Sequence, residues 1–337
     1  MGRSKARPTY TEIARVAGVS EATVSRVMND DERVNPERRA RVLEAVESLG
    51  YKKNRAASAL ASGRSGLIAV VIDDDLSVFT DPFWASVSSG VSRVLMQNQL
   101  QTLLLVSPLD NVDGPVAHYL AGGEVDGAIF FQLHKDALVK HLSKLGIPVV
   151  LMGTPHGNND FTYVDCDNFG GAVQATNHLF AMGRKNVATI TGDIVATAGR
   201  QRLDGFLQAY REHGRVAGKK LIGHGDYSLE SGKAVMAELL AQDDRIDGVF
   251  AANDLMAVGA IAAIEEAGKR VPEDIAVVGF DDSLIAQTSR PALSSVQQDI
   301  VKLGEVVAEL MIQKLAGTEV DSVILSTTLI VRESSQA

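Results

Sequence analysis

From Gly66 onward the sequence alternates between short runs of apolar, often β-branched residues and longer amphipathic stretches. This alternation is typical of parallel βαβ units. The apolar runs predict strands over residues 67–73, 101–106, 125–131, 147–151, 187–192, 247–252 and 274–280. The amphipathic stretches predict helices near residues 83–98, 136–145, 170–183, 200–213, 229–241, 254–267 and 299–316. The number of predicted strands and helices is larger than one ordinary open sheet contains. We therefore expect an α/β domain of two doubly wound parallel-sheet lobes.

The formal net charge of −9 hides a difference between the two ends of the chain. Residues 1–65 carry 13 lysines and arginines against 8 aspartates and glutamates, a net charge of +5, and the remainder carries −14. Phosphates attract the first segment and are repelled by the second. If the chain binds nucleic acid, we therefore expect the amino-terminal segment to do so.

Nothing in the sequence indicates export or a membrane anchor. The first residues are basic but lack the apolar core of a signal peptide, and the longest apolar runs, such as residues 67–72, have the length of a strand. The single cysteine, Cys166, cannot form an intrachain disulfide. A reducing cytoplasm is the expected location.

Two short helices are predicted near the amino terminus. The first begins with the capping-box sequence Thr9-Tyr10-Thr11-Glu12 and runs to Gly18. The second spans Glu21–Met28 and follows Ser20, a favourable N-cap. Its apolar side chains, Val24, Val27 and Met28, are expected to pack against Ile13, Ala14 and Ala17. Two helices joined by so short a turn form a helix-turn-helix.

The opposite face of the second helix is expected to be exposed and polar. It carries Glu21, Ala22, Ser25, Arg26 and Asn29. Such a strip is what a recognition helix lays in the major groove of DNA. Arg26 can donate two hydrogen bonds to guanine, and Glu21 can accept one from a cytosine amino group. The alternative is that Glu21 and Arg26 form a solvated surface pair with no role in binding.

A third helix and a linker complete the predicted amino-terminal segment. Asn35 and Pro36 start the helix, Gly50 ends it, and its core face is expected to carry Leu43, Val46 and Leu49. Residues 52–64 are alanine-rich and helix-prone but too few for a stable helix alone in water. We expect them to become ordered on DNA, with Leu60 as a wedge between base pairs in the minor groove.

This segment resembles the LacI/GalR family of bacterial transcriptional regulators. The resemblance lies in Val19-Ser20-x-x-Thr23-Val24-Ser25-Arg26-Val27-x-Asn29, followed by Leu49-Gly50-Tyr51 and Asn54-Arg55-Ala56-Ala57. It implies that positions 21, 22 and 26 read bases, that Thr23, Ser25 and Asn29 help hold the DNA backbone, and that Ala57 and Leu60 belong to a hinge helix in the minor groove. The full set of DNA-binding residues so predicted is Thr9, Ser20, Glu21, Ala22, Thr23, Ser25, Arg26, Asn29, Asn54, Arg55, Ala57 and Leu60.

Polar residues follow several predicted strands in the second part of the chain. In open α/β sheets ligands bind beyond the carboxyl ends of the strands, so these positions are candidates for a binding site. They are Asn253 and Asp254, Asp281 and Asp282, Gln297 and Gln298, and the arginines Arg200 and Arg202 at the start of a helix. Carboxylate, amide and guanidinium groups bind vicinal hydroxyls. The rings of Phe83, Trp84 and Tyr227 can stack on a sugar.

The family resemblance extends over nearly the whole chain, through VFAANDLMAVGAIAAI, DIAVVGFDDS, Arg200-x-Arg202-x-x-Gly205-Phe206 and Pro82-Phe83-Trp84. It implies lobes like those of periplasmic sugar-binding proteins, with crossings near residues 163, 293 and 325. It also implies that an effector is held by Arg202, Asn253, Asp281 and Gln298, with Phe83 and Tyr227 in the walls. The alternatives are that Asn253 and Asp281 cap helices or bond within loops, and that Trp84 is lobe core. Residues 73–82 form a longer loop than the family's usual one, which leaves their register open.

Together these predictions describe one kind of protein. Residues 1–51 are the helix-turn-helix DNA-binding domain, 52–65 the hinge helix and linker, and 66–337 the effector-binding and dimerisation domain. Lobe 1 is expected at about 66–163 and 294–325, and lobe 2 at about 164–293. By resemblance, the chain is a homodimeric repressor of carbohydrate-utilisation genes that binds a palindromic operator in double-stranded DNA, associates with the nucleoid there, and responds to a sugar or sugar derivative. The rival classes are a solute-binding protein and a sugar-metabolising α/β enzyme.

No sequence motif favours catalysis. The chain has no Walker loop, no G-x-S-x-G elbow and no H-E-x-x-H. His134 and His178 lack partners at metal-ligand spacing, and both are interpreted as structural. We therefore expect no catalytic residue, no metal and no cofactor.

Replacing Leu60 with alanine is expected to weaken operator affinity, because the wedge between base pairs is lost. Sugar affinity should stay nearly the same, since the effector site is expected in residues 66–337. A gel shift with operator DNA and a sugar titration measure the two affinities. Equal operator binding by Leu60→Ala and the parent protein would refute the wedge.

Overall fold

The structure of the chain, a computed structural model, describes residues 8–28, 30–51, 63–72, 81–106, 115–131, 146–155, 157 and 160–336. Its contacts divide the chain into two compact units, Met1–Ser65 and Gly66–Ala337. The first unit is helical, and the second is an α/β domain with two six-stranded sheets. This architecture confirms the predicted fold class.

The first two helices begin and end where the sequence predicts. Helix α1 (Tyr10–Ala17) opens with the capping box: the Glu12 amide donates to Thr9 Oγ1 at 3.3 Å, and the Thr9 amide donates to Glu12 Oε2 at 3.1 Å. It ends at Gly18, whose φ of 65° is left-handed. Helix α2 (Glu21–Met28) follows Ser20, whose Oγ accepts from the Thr23 amide at 3.3 Å. These local signals set the helix-turn-helix.

Helix α3 (Pro36–Ser48) closes the core of the first unit but presents a different face from the one expected. Its start is as predicted, with the Asn35 side chain accepting from the Glu37 amide at 2.9 Å. The buried core consists of Ile13, Ala14, Ala17, Val24, Val27, Val42 and Ala45. Leu43 was predicted to face this core, yet 49% of it is exposed. The stripe of α3 that meets the core runs through Val42, Ala45, Val46 and Leu49. Leu43 follows Val42 by one residue, a rotation of about 100° around the helix, and so lies beside this stripe.

Lobe 1 of the second unit contains β1 (Leu67–Ile72), α4 (Pro82–Gln97), β2 (Gln101–Val106), α5 (Pro115–Ala121), β3 (Gly127–Phe131), β4 (Val149–Met152), β5 (Tyr163–Cys166), and, from later in the chain, α11 (Ile300–Leu315) and β11 (Val323–Leu325). Its sheet is parallel, with the strand order β11-β5-β4-β3-β1-β2. Strands β1, β3 and β4 are almost entirely buried and apolar, as in sheets covered on both faces.

Lobe 2 contains α6 (Asn168–Ala181), β6 (Val187–Thr191), α7 (Thr197–Glu212), β7 (Ile222–His224), α8 (Leu229–Gln242), β8 (Gly248–Ala251), α9 (Asp254–Glu266), β9 (Ala276–Asp281), α10 (Leu284–Thr288), β10 (Ser294–Gln297) and β12 (Thr328–Ile330), with a short 3₁₀ turn at Lys219–Leu221. Its strand order is β12-β10-β9-β8-β6-β7. Strand β12 runs antiparallel to β10, and the remaining pairs are parallel. The carboxyl ends of β6, β8, β9 and β10 therefore meet at one edge of this sheet.

The predicted strands are all present, with their ends within two residues of the expected positions. Strands β5, β7, β10, β11 and β12 and helices α5 and α10 were not predicted. The strands are only three or four residues long, too short to show a period in the sequence. Helices α6 and α7 begin at Asn168 and Thr197, earlier than the predicted 170 and 200. The predicted helix 136–145 lies outside the described residues.

The chain passes between the lobes three times: between β5 and α6, between β10 and α11, and between β11 and β12. The first two crossings fall a few residues later than the expected positions near 163 and 293. Residues 163–166 belong to the sheet of lobe 1, because β5 pairs with β4 and β11. Residues 294–297 belong to lobe 2, because β10 pairs with β9. Lobe 1 therefore extends to residue 166 in its first part, and lobe 2 extends to residue 297.

Helices α4 and α11 pack backbone to backbone at two glycines. A Cβ at Gly90 would lie 2.2 Å from the Val301 carbonyl oxygen, and one at Gly304 would lie 2.2 Å from that of Val87. Neither backbone oxygen can move away without shifting its helix. The core of lobe 1 around Trp84, Val87 and Leu303 depends on this close approach.

Gly90→Ala should therefore lower the free energy of unfolding of lobe 1 by about 1–3 kcal/mol, because the added methyl overfills the helix contact. Urea unfolding followed by fluorescence reports on this lobe directly, since Trp84 is the single tryptophan of the chain. Ser89→Ala, at the exposed neighbouring position, serves as the control and should change stability little. Equal unfolding midpoints for Gly90→Ala and Ser89→Ala would contradict the packing described.

Candidate functional site

The exposed face of α2 is the candidate DNA-reading surface. Glu21, Ala22 and Arg26 are exposed, and Thr23 and Ser25 are partly buried, while Val24 and Val27 on the other face are core. Among the described residues no ion pair joins Glu21 to Arg26; the pairs of this unit are Arg33–Asp31 and Arg39–Asp30. Both side chains are exposed, and no close contact between them is observed.

The other predicted DNA-binding residues fall into two groups. Thr9 and Ser20 cap α1 and α2, so their side-chain oxygens accept from helix amides and their hydroxyl hydrogens point elsewhere. Ser20 Oγ also lies 3.0 Å from Thr23 Oγ1. The remaining residues, Asn29, Asn54, Arg55, Ala57 and Leu60, lie outside the described residues.

Arg202, on α7, is the centre of the candidate ligand cleft in the second unit. It is buried, with 6% of its surface exposed. Its Nε donates to Asn168 Oδ1 at 2.8 Å, and its Nη1 donates to the Ala252 carbonyl oxygen. The guanidinium lies over the Phe280 ring, 3.6 Å from the centroid, and its Nη1 is 3.7 Å from Asp281 Oδ1. A buried cation is thus surrounded by acceptors and one aromatic face.

Asp281 ends strand β9 and joins Arg202 to the second crossing between the lobes. Gln298, in that crossing, donates through Nε2 to Asp281 Oδ1 at 2.5 Å. Burial raises the pKa of Asp281 well above its usual range; Arg202 opposes the shift, and the carboxylates of Asp254 and Asp81 add to it. Asp281 therefore caps no described helix; it is a partly buried acceptor, with 13% of its side chain exposed, next to a buried cation.

The Asp281–Asp282 turn is held in an unfavourable backbone conformation. The two residues have φ of 108° and 53°, a region that side chains other than glycine rarely adopt. Asp282 is fixed from three sides: its amide donates to Ser295 Oγ at 3.0 Å, its Oδ2 accepts from Gln297 at 2.9 Å, and its Oδ1 lies 2.6 Å from Arg332 Nη2. These contacts maintain the strained turn and aim Asp281 inward.

Asn253 and Tyr227 are linked to each other. Asn253 caps α9, because its side-chain oxygen accepts from the Met256 amide at 2.9 Å. Helix capping, which was the alternative to effector binding for this residue, is therefore its main contact. Its Nδ2 also donates to the Tyr227 carbonyl oxygen at 2.9 Å, which supports the left-handed φ of 72° at Tyr227. The Tyr227 ring lies on Gly192, where a Cβ would be 2.0 Å from the ring. Burial raises the pKa of Tyr227 to about 12, so its hydroxyl keeps its proton at neutral pH.

The two candidate aromatic residues of lobe 1, Phe83 and Trp84, differ in burial. Trp84 is 8% exposed and stacks on Phe131 at 5.7 Å, so the core alternative describes its surroundings. Phe83 is only partly buried and packs edge-on against Trp84 at 5.3 Å. Asp81 caps α4, accepting from the Phe83 amide at 2.9 Å, and burial raises its pKa. Of the two rings, Phe83 is the more exposed.

Sequence reasoning missed Asp165 and Asn168 at the first crossing. Asp165 accepts from the amide and the hydroxyl of Thr154, both at 2.8 Å, and from Asn168 Nδ2 at 3.0 Å. Asn168 in turn accepts from Arg202. We call the chain Asp165, Asn168, Arg202, Asp281 and Gln298 the crossover network. It joins the first and second crossings through five buried or partly buried side chains.

Asp254, next to Asn253, is a buried carboxylate behind the cleft. Its Oδ2 accepts from the Ser283 amide at 2.7 Å and from the Ser283 hydroxyl at 2.8 Å, and its Oδ1 accepts from Ser295 at 2.5 Å. Burial raises its pKa to about 6 in spite of these hydrogen bonds. It braces the turn that carries Asp281 and is 1% exposed, out of reach of a ligand.

The part of the chain that the structure describes contains no group of three or more potential metal ligands. None of the helices in this described part is long and apolar enough to cross a membrane. His178 Nε2 lies 2.8 Å from Ser335 Oγ, and partial burial lowers its pKa, so its contacts are those of a structural residue. His134 lies outside the described residues.

The comparisons with known proteins cover both units. Residues 9–54 match the family model for bacterial regulatory proteins of the lacI family, and residues 176–335 match that of a periplasmic binding protein-like domain. The transcriptional regulator CelR of Thermobifida fusca is 39% identical over 334 residues, or 97% of this chain and 98% of that protein. Catabolite control protein A of Priestia megaterium is 32% identical, over 94% of this chain and 95% of that protein.

Solved structures agree with these relatives. The lac repressor dimer bound to operator and the anti-inducer ONPF superposes with a TM-score of 0.88 at 26% identity, over 98% of this chain and 100% of that one. A CelR–cellobiose complex superposes with a TM-score of 0.75 at 37% identity, over 97% of this chain and 100% of that one. The matches confirm the resemblance found in the sequence.

The raised pKa of Asp254 predicts a pH dependence of stability. In the folded state the Asp254 carboxylate binds its proton more tightly than in the unfolded state, in which an aspartate pKa is about 3.9. The resulting stabilisation is complete below about pH 4 and is lost as the pH rises through about 6. Relative to Asp254→Asn, the parent protein should lose on the order of 2 kcal/mol of unfolding free energy between pH 4 and pH 7.

Urea unfolding of both proteins at several pH values in this range measures the difference, which includes the change that loss of the Asp254 charge makes to the pKa of Asp281. Asparagine keeps one acceptor oxygen for Ser283, replaces the other carboxylate oxygen by an NH2 group, and does not titrate, so the test uses the pH dependence of the stability difference and not its size at one pH. A stability difference between the two proteins that stays constant with pH would show that Asp254 does not titrate there.

Proposed function

The chain belongs to the lacI family of bacterial regulatory proteins and is a DNA-binding transcriptional regulator, and we propose that it is a homodimeric repressor whose hold on a palindromic operator is changed by a sugar. The observation that carries this proposal is the exposed α2 face on a cationic helix-turn-helix, in the same chain as a cleft built around Arg202 and Asp281. A solute-binding protein or a sugar-metabolising enzyme would leave the first unit without a role.

The DNA contacts follow from the helix-turn-helix. We assign residues 1–51 to DNA binding, 52–65 to the hinge and 66–337 to effector binding and dimerisation. Glu21, Ala22 and Arg26 would read base edges in the major groove. Thr9, Ser20, Thr23, Ser25 and Asn29 would hold the backbone, with the hinge residues Asn54, Arg55, Ala57 and Leu60 in the minor groove. An operator with two-fold symmetry requires two copies of the chain, as in the lac repressor dimer on its operator. The operator places the working protein in the cytoplasm, on the nucleoid.

The ligand contacts follow from the cleft. CelR binds cellobiose in its solved complex. For this chain we propose a sugar or sugar derivative, held by Arg202, Asn253, Asp281 and Gln298. Phe83 and Tyr227 would cover the apolar faces of the sugar ring. Trp84 supports Phe83 from the core behind it.

The coupling follows from differential binding. A sugar shifts the regulator only if it binds one arrangement of the two lobes more tightly than the other. The crossover network lies where the chain passes between the lobes, so a ligand that touches Asp281 or Gln298 acts on the segments that set the lobe angle. The difference in sugar-binding free energy between the two arrangements then changes the operator affinity through the hinge.

A gel shift with DNA from upstream of the chain's own gene, repeated with a panel of sugars, tests the proposal. Arg26→Ala should weaken operator binding about 5- to 150-fold, the value of one bidentate contact, and relax the preference at one base pair. Arg245→Ala, which removes an exposed cation of the second unit, should leave operator affinity unchanged.

DNA retention that one sugar releases or tightens would support the regulator. Turnover of a sugar without any retention of DNA would overturn it. Equal operator affinity for Arg26→Ala and Arg245→Ala would remove α2 from the reading surface.

A further inference from the structure

Asp282 is attached to both ends of β12, the strand that follows the third crossing between the lobes. Its Oδ2 accepts from Gln297 Nε2 at 2.9 Å, and Gln297 pairs with Thr328, the first residue of β12. Its Oδ1 lies 2.6 Å from Nη2 of Arg332, which stands two residues beyond the end of β12. Only 3% of the Asp282 side chain is exposed, so these two contacts take the place of water around its carboxylate.

Arg332 is fixed to lobe 2 through its backbone as well as its side chain. Its amide donates to Ser294 Oγ at 2.7 Å, and its Nη1 donates to the Leu293 carbonyl oxygen at 2.8 Å. Two residues later, Ser334 is fully buried, and its hydroxyl donates to the Val277 carbonyl oxygen at 2.6 Å. The backbone around Arg332 is therefore anchored, and its guanidinium holds a defined place.

The third crossing lies at the other end of this connection. Thr327 directly precedes β12, and its Oγ1 donates to the Asp167 carbonyl oxygen at 3.2 Å. The Thr327 carbonyl oxygen accepts from Gln174 Nε2 at 3.3 Å. The Asp167 amide donates to the carbonyl oxygen of Leu325, the last residue of β11, at 2.8 Å. A displacement of β12 therefore alters hydrogen bonds at the first and third crossings together.

The Asp281–Asp282 turn thus joins the cleft to the connections between the lobes. Asp281 contacts Arg202 and Gln298, whereas the next residue, Asp282, contacts Arg332. We propose that the Asp282–Arg332 pair transmits movement of this turn to the third crossing, and that Arg332 is a positioning residue for the response to the effector. This proposal rests on the proposed function, in which a ligand acts on Asp281.

The burial of the pair gives Arg332 this role. The Asp282 side chain is almost fully buried, whereas 20% of the Arg332 side chain is exposed. A buried carboxylate that loses its cation must move to regain water or another donor. The backbone of Asp282 would not resist such a move, because its φ of 53° is rarely adopted by residues other than glycine. Removal of the Arg332 charge should therefore displace the turn, and removal of both charges should displace it much less.

Hydrogen-deuterium exchange of the intact chain, followed by mass spectrometry, tests the proposal without a ligand. Peptides that cover residues 281–284 report on the turn, whose amides donate to Ser295 and Asp254. Peptides that cover residues 166–168 report on the crossings, since they contain the amide that donates to β11. In Arg332→Gln both regions should exchange at least about tenfold faster than in the parent protein.

Two further variants separate the pair from a general loss of stability. In Arg332→Gln combined with Asp282→Asn, exchange in both regions should return to within about threefold of the parent protein, because no unpaired charge remains. Arg270→Gln, which removes the exposed partner of Asp274, should change neither region. Peptides from β1, in the core of lobe 1, should exchange alike in all the variants.

A gel shift with operator DNA, with glucose and cellobiose as probes, measures the response to an effector. A sugar that changes the operator affinity of the parent protein should act at least about fivefold less on Arg332→Gln. The variant that combines Arg332→Gln with Asp282→Asn should respond as weakly, since it also lacks the ionic connection. Recovery of the sugar response in this combined variant would show that Arg332 affects only stability, and would overturn the proposal.

The exchange experiment has its own contrary outcomes. Unchanged exchange at residues 281–284 in Arg332→Gln would show that the pair does not hold the turn. Faster exchange there without any change at residues 166–168 would show that the turn is not connected to the third crossing. Equal acceleration in β1 would indicate a loss of global stability, and each of these three results would overturn the proposal. If no sugar acted on the parent protein, the proposed function would be wrong, and the role of Arg332 in an effector response would fall with it.

Discussion

The second unit depends on the burial of one guanidinium. A cation removed from water is costly unless charges and hydrogen-bond acceptors replace its solvation, and Arg202 obtains them from Asn168, Ala252 and Asp281. These partners come from the start of α6, the end of β8 and the end of β9. Because all of them must be in place together, Arg202 fixes the relative positions of three elements at one edge of the sheet. The loss of any one partner would leave a buried charge poorly compensated.

The same residue lies between the crossings that connect the lobes. Asn168 follows the first crossing, and Gln298 reaches Arg202 from the second through Asp281. The third crossing is tied to the first, since the Asp167 amide donates to the Leu325 carbonyl at 2.8 Å and Thr327 Oγ1 donates to the Asp167 carbonyl at 3.2 Å. A ligand that changes the hydrogen bonds of Asp281 therefore acts on all three connections. For this chain, this placement would provide a physical route from the proposed ligand site to the angle between the lobes.

Local signals made much of this fold predictable. The capping box at Thr9, the left-handed Gly18 and the Asn35-Pro36 start depend on neighbours in sequence, and each was found as expected. The long apolar strands were visible for the same reason. Leu43 was misplaced because an apolar pattern does not resolve a rotation of one residue around a helix. The site was harder to predict from the sequence. Asp165 lies in a four-residue strand, which is too short to show an alternation of apolar and polar residues, and Asn168 contacts Arg202, which is 34 residues away in sequence. Asp81 and Asp281 come from different lobes, which only the folded chain brings together.

The coupling between cleft and operator can be measured most directly as a thermodynamic cycle on the intact protein. Titration calorimetry gives the affinity of the sugar with and without operator DNA, and fluorescence anisotropy gives the affinity of the operator with and without the sugar. We predict that the two ratios are equal and differ from one by about 5- to 150-fold, the usual size of allosteric coupling. Ratios of one in both directions, with both ligands bound, would contradict the control of DNA binding by the cleft.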